Sequence, residues 1–190
     1  MMSAPTFAAN VTLDFEGTTA YGSVGDFYAS HGITFGGDAL AFDNTVSPPD
    51  LPVFDNPANG TRVLSVVGNG EGTMNVDKGF IGQLTFAYSS VEATSIRLFS
   101  GLNGTGDLLS TIELDQNATN GGCASSVLCF WDTVSLDFAG VARSVTFGDA
   151  TAVAGFDNVS VNAVPLPAAG WLLMSALGGV GAWSRRKRAA

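Results

Sequence analysis

The stretch "SIRLFSGLNGTGDLLSTIEL", Ser95 to Leu114, sets two short runs of mixed apolar and polar residues on either side of Asn103-Gly104. An Asn-Gly pair between such runs is the strongest short-range signal of a β-hairpin. The two-residue turn whose twist matches the flanking strands needs φ > 0 at both central positions. This reading makes "SIRLFS" and "LLSTIEL" antiparallel neighbours. The same grammar extends in both directions. "VTLDF" alternates Val11, Leu13 and Phe15 against Thr12 and Asp14, the period of a half-buried strand. Similar runs occur at "GITFGG", "ALAFDN", "RVLSVV", "QLTFAYS", "WDTVSLDF", "RSVTFGD" and "GFDNVSV", separated by Gly, Asn, Asp and Pro clusters. About ten strands are expected, with no helix before Ala168, and hence an all-β fold, a β-sandwich. "VSPPDLPVFDNPANG", Val46 to Gly60, carries four prolines and is expected to be a surface loop, since proline cannot donate to a central ladder.

Composition agrees. The chain has 190 residues, 24 of them Gly and 13 Phe, with 13 % charged, which suits short strands and turns better than helices. The length fits one domain with appendages. The net charge of −9 is unevenly placed. Before Ala168 there are four basic residues, Arg62, Lys78, Arg97 and Arg143, against all 17 acidic ones, a net −13. Such a body repels phosphate backbones, which argues against nucleic acid as a partner.

The C-terminus is of another kind. From Val164 to Trp183 no residue is charged, and Arg185, Arg186, Lys187 and Arg188 follow. Pro165 and Pro167 fit only at the start of a helix, where donors are missing anyway. The apolar helix is therefore expected over Ala168 to Trp183, about 24 Å long against a hydrocarbon core of about 30 Å. Trp171 and Trp183 fall near its ends as interfacial aromatics do, and the basic block would stay on the cytoplasmic side. A plain membrane anchor is the simplest alternative.

The tail resembles the PEP-CTERM sorting signals of Gram-negative bacteria, in the variant that begins "VPLPA", here Val164, Pro165, Leu166, Pro167 and Ala168. Motif, apolar helix and terminal basic cluster match in order and spacing over about 27 residues. The resemblance implies a temporary tether in the inner membrane, cleaved near the proline motif by an exosortase. It also implies a mature protein at the cell surface or in an exopolysaccharide matrix.

Export requires a leader, yet "MMSAPTFAANVTLDFEG" has neither a basic n-region nor an apolar h-region. Phe7-Ala8-Ala9 looks like the end of a signal peptide. Residues 1–9 are therefore expected to be its remnant, with a mature start near Asn10, a sandwich over 10–162 and the sorting signal over 163–190. Two cysteines, Cys123 and Cys129, have five residues between them in "GGCASSVLCFW". In an oxidising compartment a disulfide would close that loop; two unpaired thiols are the alternative. With no histidine nearby, they cannot complete a zinc shell.

The order of runs resembles lectin-like and carbohydrate-binding-module jelly rolls. It starts with a "DFEG" strand, continues through "GITF" and "SIRLFSGLNGTGDLL", and closes on "GFDNVSV". It also resembles MAM-type jelly rolls, in which the first and last strands lie side by side. By that analogy Glu16 and Asp157 would approach each other, with Asp14 and Asn158 near, and these hard oxygen ligands would suit a structural Ca²⁺. Solvated strand-face carboxylates are the alternative, and no D-x-D-x-D-G loop is present.

No motif frames an enzyme. His31, in "ASHGITF", is the single histidine, with no G-x-S-x-G elbow to accompany it, and it reads as a turn residue. "GNGEG", Gly68 to Gly72, lacks the Lys and helix of a phosphate loop. The functional expectation is an exported, non-catalytic polysaccharide-binding module. Tyr21, Tyr28 and Trp131 are its candidates for stacking on sugar faces, with core packing as the alternative. A purely structural matrix protein, or a glycoside hydrolase on the same scaffold, is the competing reading. Five N-x-S/T sequons, at Asn10, Asn59, Asn103, Asn117 and Asn158, reflect Asn- and Thr-rich turns.

Overall fold

In the computed structural model the Asn103-Gly104 hairpin is present. Both residues have positive φ, 56° and 67°, and Thr105 N–H donates to the Leu102 carbonyl at 3.2 Å. The structure describes residues 9–46, 54–66, 71–120, 122, 128–148 and 154–164. Within them the chain forms β1 (Ala9–Leu13), β2 (Ile33–Gly37), β3 (Ala39–Asp43), β4 (Arg62–Val66), β5 (Gly72–Ser90), β6 (Thr94–Phe99), β7 (Leu108–Leu114), β8 (Asp132–Phe147) and β9 (Ala154–Ala163). A single 3₁₀ turn over Ala29–His31 leads into β2, so His31 holds the turn position read from the sequence.

Nine described strands replace the ten expected, because two of them are long. "WDTVSLDF" and "RSVTFGD" are one strand, β8, and "QLTFAYS" is only the second half of β5. Every strand pair is antiparallel. β5 and β8 run through two layers. Gly72–Asn75 of β5 pairs with β2 and with Ser144–Phe147 of β8, and β8 continues the layer to β6 and β7. Phe80–Ser90 of β5 pairs with β9, whose far edge carries β4 and β3 at one end and β1 at the other. The corner lies where the β5–β8 register shifts, between Asn75 and Phe80. Gly79 sits there with φ of 82°, and a Cβ on it would come within 2.4 Å of Val141. Only glycine lets β5 turn that close to β8.

The alternation of each strand fills the space between the layers. Leu84, Phe86, Ile96, Leu98, Val145, Phe147, Phe156 and Val159 are fully buried in one core. A smaller cluster of Phe42, Phe54, Val63, Ala118 and Leu128 packs beside it. Phe54 lies in the segment expected as a surface loop, yet it is 1 % exposed. Its ring lies over Gly155, where a Cβ would meet it at 2.4 Å. Proline punctuation could not report that Phe54 packs over the sheet. The expected C-terminal helix and basic tail lie outside the described residues. Among the described residues no helix is long and apolar enough to cross a membrane.

Candidate functional site

β1 pairs along its whole length with the second half of β9, from Ala9 opposite Ala163 to Leu13 opposite Val159, as the MAM-type likeness implies. Beyond Leu13 the chain turns at Phe15, whose φ is 58°. Asp157 occupies the opposite strand, where Asn158 has φ of 49° and the β5–β9 register shifts. These two departures bring Asp14, Glu16 and Asp157 within electrostatic reach of each other. The carboxylates hold backbone. Glu16 Oε1 accepts the N–H groups of Thr61 and Arg62, both at 2.7 Å. Asp157 Oδ2 accepts Asn59 N–H at 2.7 Å and Oδ1 accepts Asn158 N–H at 2.6 Å. Asp14 Oδ1 accepts Glu16 N–H at 3.2 Å. Gly60 makes room: a Cβ there would lie 2.3 Å from Glu16 Oε1. Asp157 is fully buried. Burial, helped by the Glu16 and Asp14 charges and opposed by the two N–H donors, pushes its pKa up to about 6.

Among the described residues, no group of three or more His, Cys, Asp and Glu side chains is arranged to hold a metal ion. Arg62, whose backbone N–H serves Glu16, turns its guanidinium to Asp43 at 3.1 Å. A Ca²⁺ at Asp14, Glu16, Asp157 and Asn158 would therefore need carbonyls or water for most of its shell.

The three aromatic candidates are spread across both cores. Tyr28 is 7 % exposed. Its hydroxyl accepts Phe15 N–H at 2.7 Å, its ring meets Phe15 edge-on, and burial holds its pKa high. It presents no face to a sugar, so the stacking expectation fails at this residue. Tyr21 and Trp131 are half-buried against the smaller cluster. The Tyr21 hydroxyl donates to the Asp43 carbonyl at 3.0 Å and to that of Val46. Trp131 Nε1 donates to the Asp55 carbonyl at 2.9 Å. Cys129 is buried and not a free thiol; Cys123 lies outside the described residues.

What the sequence reading missed is a surface. Thr12, Ser160, Thr85 and Ser135 stand opposite one another across β1, β9, β5 and β8. Neighbouring strands lie about 4.8 Å apart, so these hydroxyls form a regular row. The Thr12 and Ser160 hydroxyls are 2.5 Å apart, and those of Thr85 and Ser135 3.0 Å. Amides flank the row: Asn10 donates to Asn162 at 3.5 Å, and Gln83 donates to Asp137 at 2.8 Å. Asp137 is the single charge in this set. The signal was in the sequence as four triplets, "VTL", "LTF", "VSL" and "VSV", each with a hydroxyl between two apolar residues. Only the register shows that the four line up.

No protein-family model matches the chain, and no curated protein is similar to it in sequence. Solved structures with a similar course do exist. A family 29 carbohydrate-binding module is 13 % identical, covering 81 % of this chain and 91 % of its own, with a TM-score of 0.46. The cleaved adhesin domain of Lys-gingipain from Porphyromonas gingivalis is 14 % identical, covering 82 % and 98 %, with a TM-score of 0.48. A family 6 module from Clostridium stercorarium, in complex with cellobiose, is 20 % identical, covering 65 % and 92 %, with a TM-score of 0.40. The likeness is one of backbone course.

Proposed function

We propose that the body is a non-catalytic module that binds a neutral polysaccharide across the outer face of β1, β9, β5 and β8. The hydroxyl row carries the reading. Each Ser or Thr hydroxyl both donates and accepts, so a hydrogen-bonded pair keeps capacity for a sugar hydroxyl. Among the row and its flanking amides Asp137 is the single charge, and the body's net −13 disfavours acidic polymers. A hydrogen bond contributes about 1 kcal/mol net, so a glycan spanning the row would bind with Kd on the order of 10⁻⁴ to 10⁻³ M. Affinity electrophoresis in gels containing neutral or acidic polysaccharide tests this. A neutral polymer should retard the protein, and the double variant Thr85→Val, Ser135→Ala should weaken the effect at least threefold. Retardation by acidic polymers alone would overturn the assignment. No retardation would leave a structural matrix protein, and release of reducing sugar would point to a hydrolase.

The delivery reading belongs to the same proposal. The tail would be tethered in the inner membrane and removed by an exosortase, leaving the body at the surface or in the matrix of a Gram-negative bacterium. A Cys123–Cys129 bridge would close the loop ahead of Trp131. It is tested by thiol labelling without reduction, where incorporation into the exported protein would contradict it. The cation at Asp14, Glu16, Asp157 and Asn158 is proposed on chemistry alone. Three carboxylates share one corner, and neither described ion pair includes any of them.

A further inference from the structure

Both ends of the described body share one corner of the sandwich. Ala163 is paired with Ala9 and with Phe80, and Val164 N–H donates to the Gly79 carbonyl at 2.9 Å. Gly79 lies against Val141, which stands directly opposite Ile81. Cross-strand partners point to the same side, and these two are 46 % and 39 % exposed. Arg143 lies two residues along β8, on the same face as Val141, with Nη2 donating to the Asp77 carbonyl at 2.8 Å. Lys78 is exposed beside it. The other two cations of the body are committed, Arg62 to Asp43 and Arg97 to Glu71. Lys78 and Arg143 pair with no acidic side chain among the described residues. An exposed apolar pair and these two cations, with the exposed Asp77 next to Lys78, thus lie where the uncharged run from Val164 begins.

We propose that this corner, formed by Lys78, Ile81, Val141 and Arg143, is a lipid-facing surface that rests on the bilayer while the tail is inserted. This assignment depends on the reading of the tail as a membrane segment. Chain length supports it. From the last sheet bond at Val164 to the helix start expected at Ala168 a chain reaches at most about 13 Å even when fully extended. An inserted tail would therefore hold the corner near headgroup depth. The two cations are drawn to an anionic surface and the acidic remainder of the body is repelled, which fixes the orientation.

The test uses the full chain in vesicles of phosphatidylcholine and phosphatidylglycerol. The photoreactive amino acid p-benzoylphenylalanine replaces Val141, Ile81 or, as a control, Glu92. Glu92 is exposed just past the opposite end of β5. Lipid adducts are read by mass spectrometry on chains that pellet with the vesicles. The surface predicts at least fivefold more lipid adduct at positions 81 and 141 than at position 92. That excess should fall when phosphatidylglycerol is omitted or when Lys78→Glu and Arg143→Glu are combined. Equal adducts at all three positions in pelleted protein, or adducts between two copies of the chain, would overturn the surface while leaving the tail reading intact. Failure of the chain to pellet at all would overturn the tail reading, and the surface with it.

Discussion

Asp157 combines full burial, two backbone donors and two carboxylate neighbours, so its titration is coupled to folding. Its folded pKa of about 6 lies above the ordinary 3.8. The native state therefore binds this proton more tightly than the unfolded chain does. Stability from this group is fully present below about pH 4, declines as pH rises through 6, and is flat above that. In chelator, the melting temperature should rise as pH is lowered from 7 to 5. The limiting gain is about 3 kcal/mol, and Asp157→Asn should flatten the rise. Added calcium, if it binds, should raise the melting temperature at pH 7 and remove most of the slope; a curve identical with and without calcium counts against the cation. The meeting of Asp14, Glu16 and Asp157 was legible by analogy from the opening and closing strands. That the carboxylates clamp Asn59 to Arg62 was not, because those partners are backbone groups of a loop without a motif. Tyr28 was misplaced for a related reason. Turn proximity says where a ring starts, not which way it points.

Among the elements, β5 and β8 decide the architecture, and both bend at the corner. Gly79→Ala would place a methyl against Val141 and the Ala142 carbonyl at φ of 82°. It should cost about 2–4 kcal/mol. Gly82 has the same φ, but nothing lies within 4 Å of its missing Cβ. Gly82→Ala should cost only the backbone strain, about 1–2 kcal/mol. Denaturant unfolding of the two variants checks the difference, and equal losses would mean that crowding at Val141 is relieved by small shifts. Strand identity was readable almost everywhere, because alternation survives in short segments such as "VTLDF". Strand continuity was not. A glycine that turns a strand through a corner and a glycine that ends it look alike in sequence, so one long strand was counted as two. The hydroxyl row was hidden for the same cause: each triplet is local, while the row exists only in the register between strands.

At the scale of the whole molecule, the tail and the body make separable claims. Mass spectrometry of the protein from cells with an active exosortase should find a C-terminus near Val164. Pro165→Ala with Pro167→Ala should leave a membrane-held precursor. Recovery of a chain ending in Ala190 would mean a permanent anchor. The pairing of β1 with β9 has a different consequence, for the order in which the fold can be completed. Thr12 waits for a partner 148 residues later. β9 is no peripheral strand either, since β1, β4 and β5 all pair with it. A chain threaded through a membrane from its N-terminus would deliver β1 to β8 with the middle of one layer still absent. The unpaired edges of β1, β4 and β5 would stay open to wrong partners until 154–163 emerged, as expected for folds dominated by long-range pairing. The strand that closes the sheet is also the last one before the apolar run. Any pause of that run in the bilayer would therefore come when the final strand has just become available, giving a slow-folding domain its time to close while still tethered.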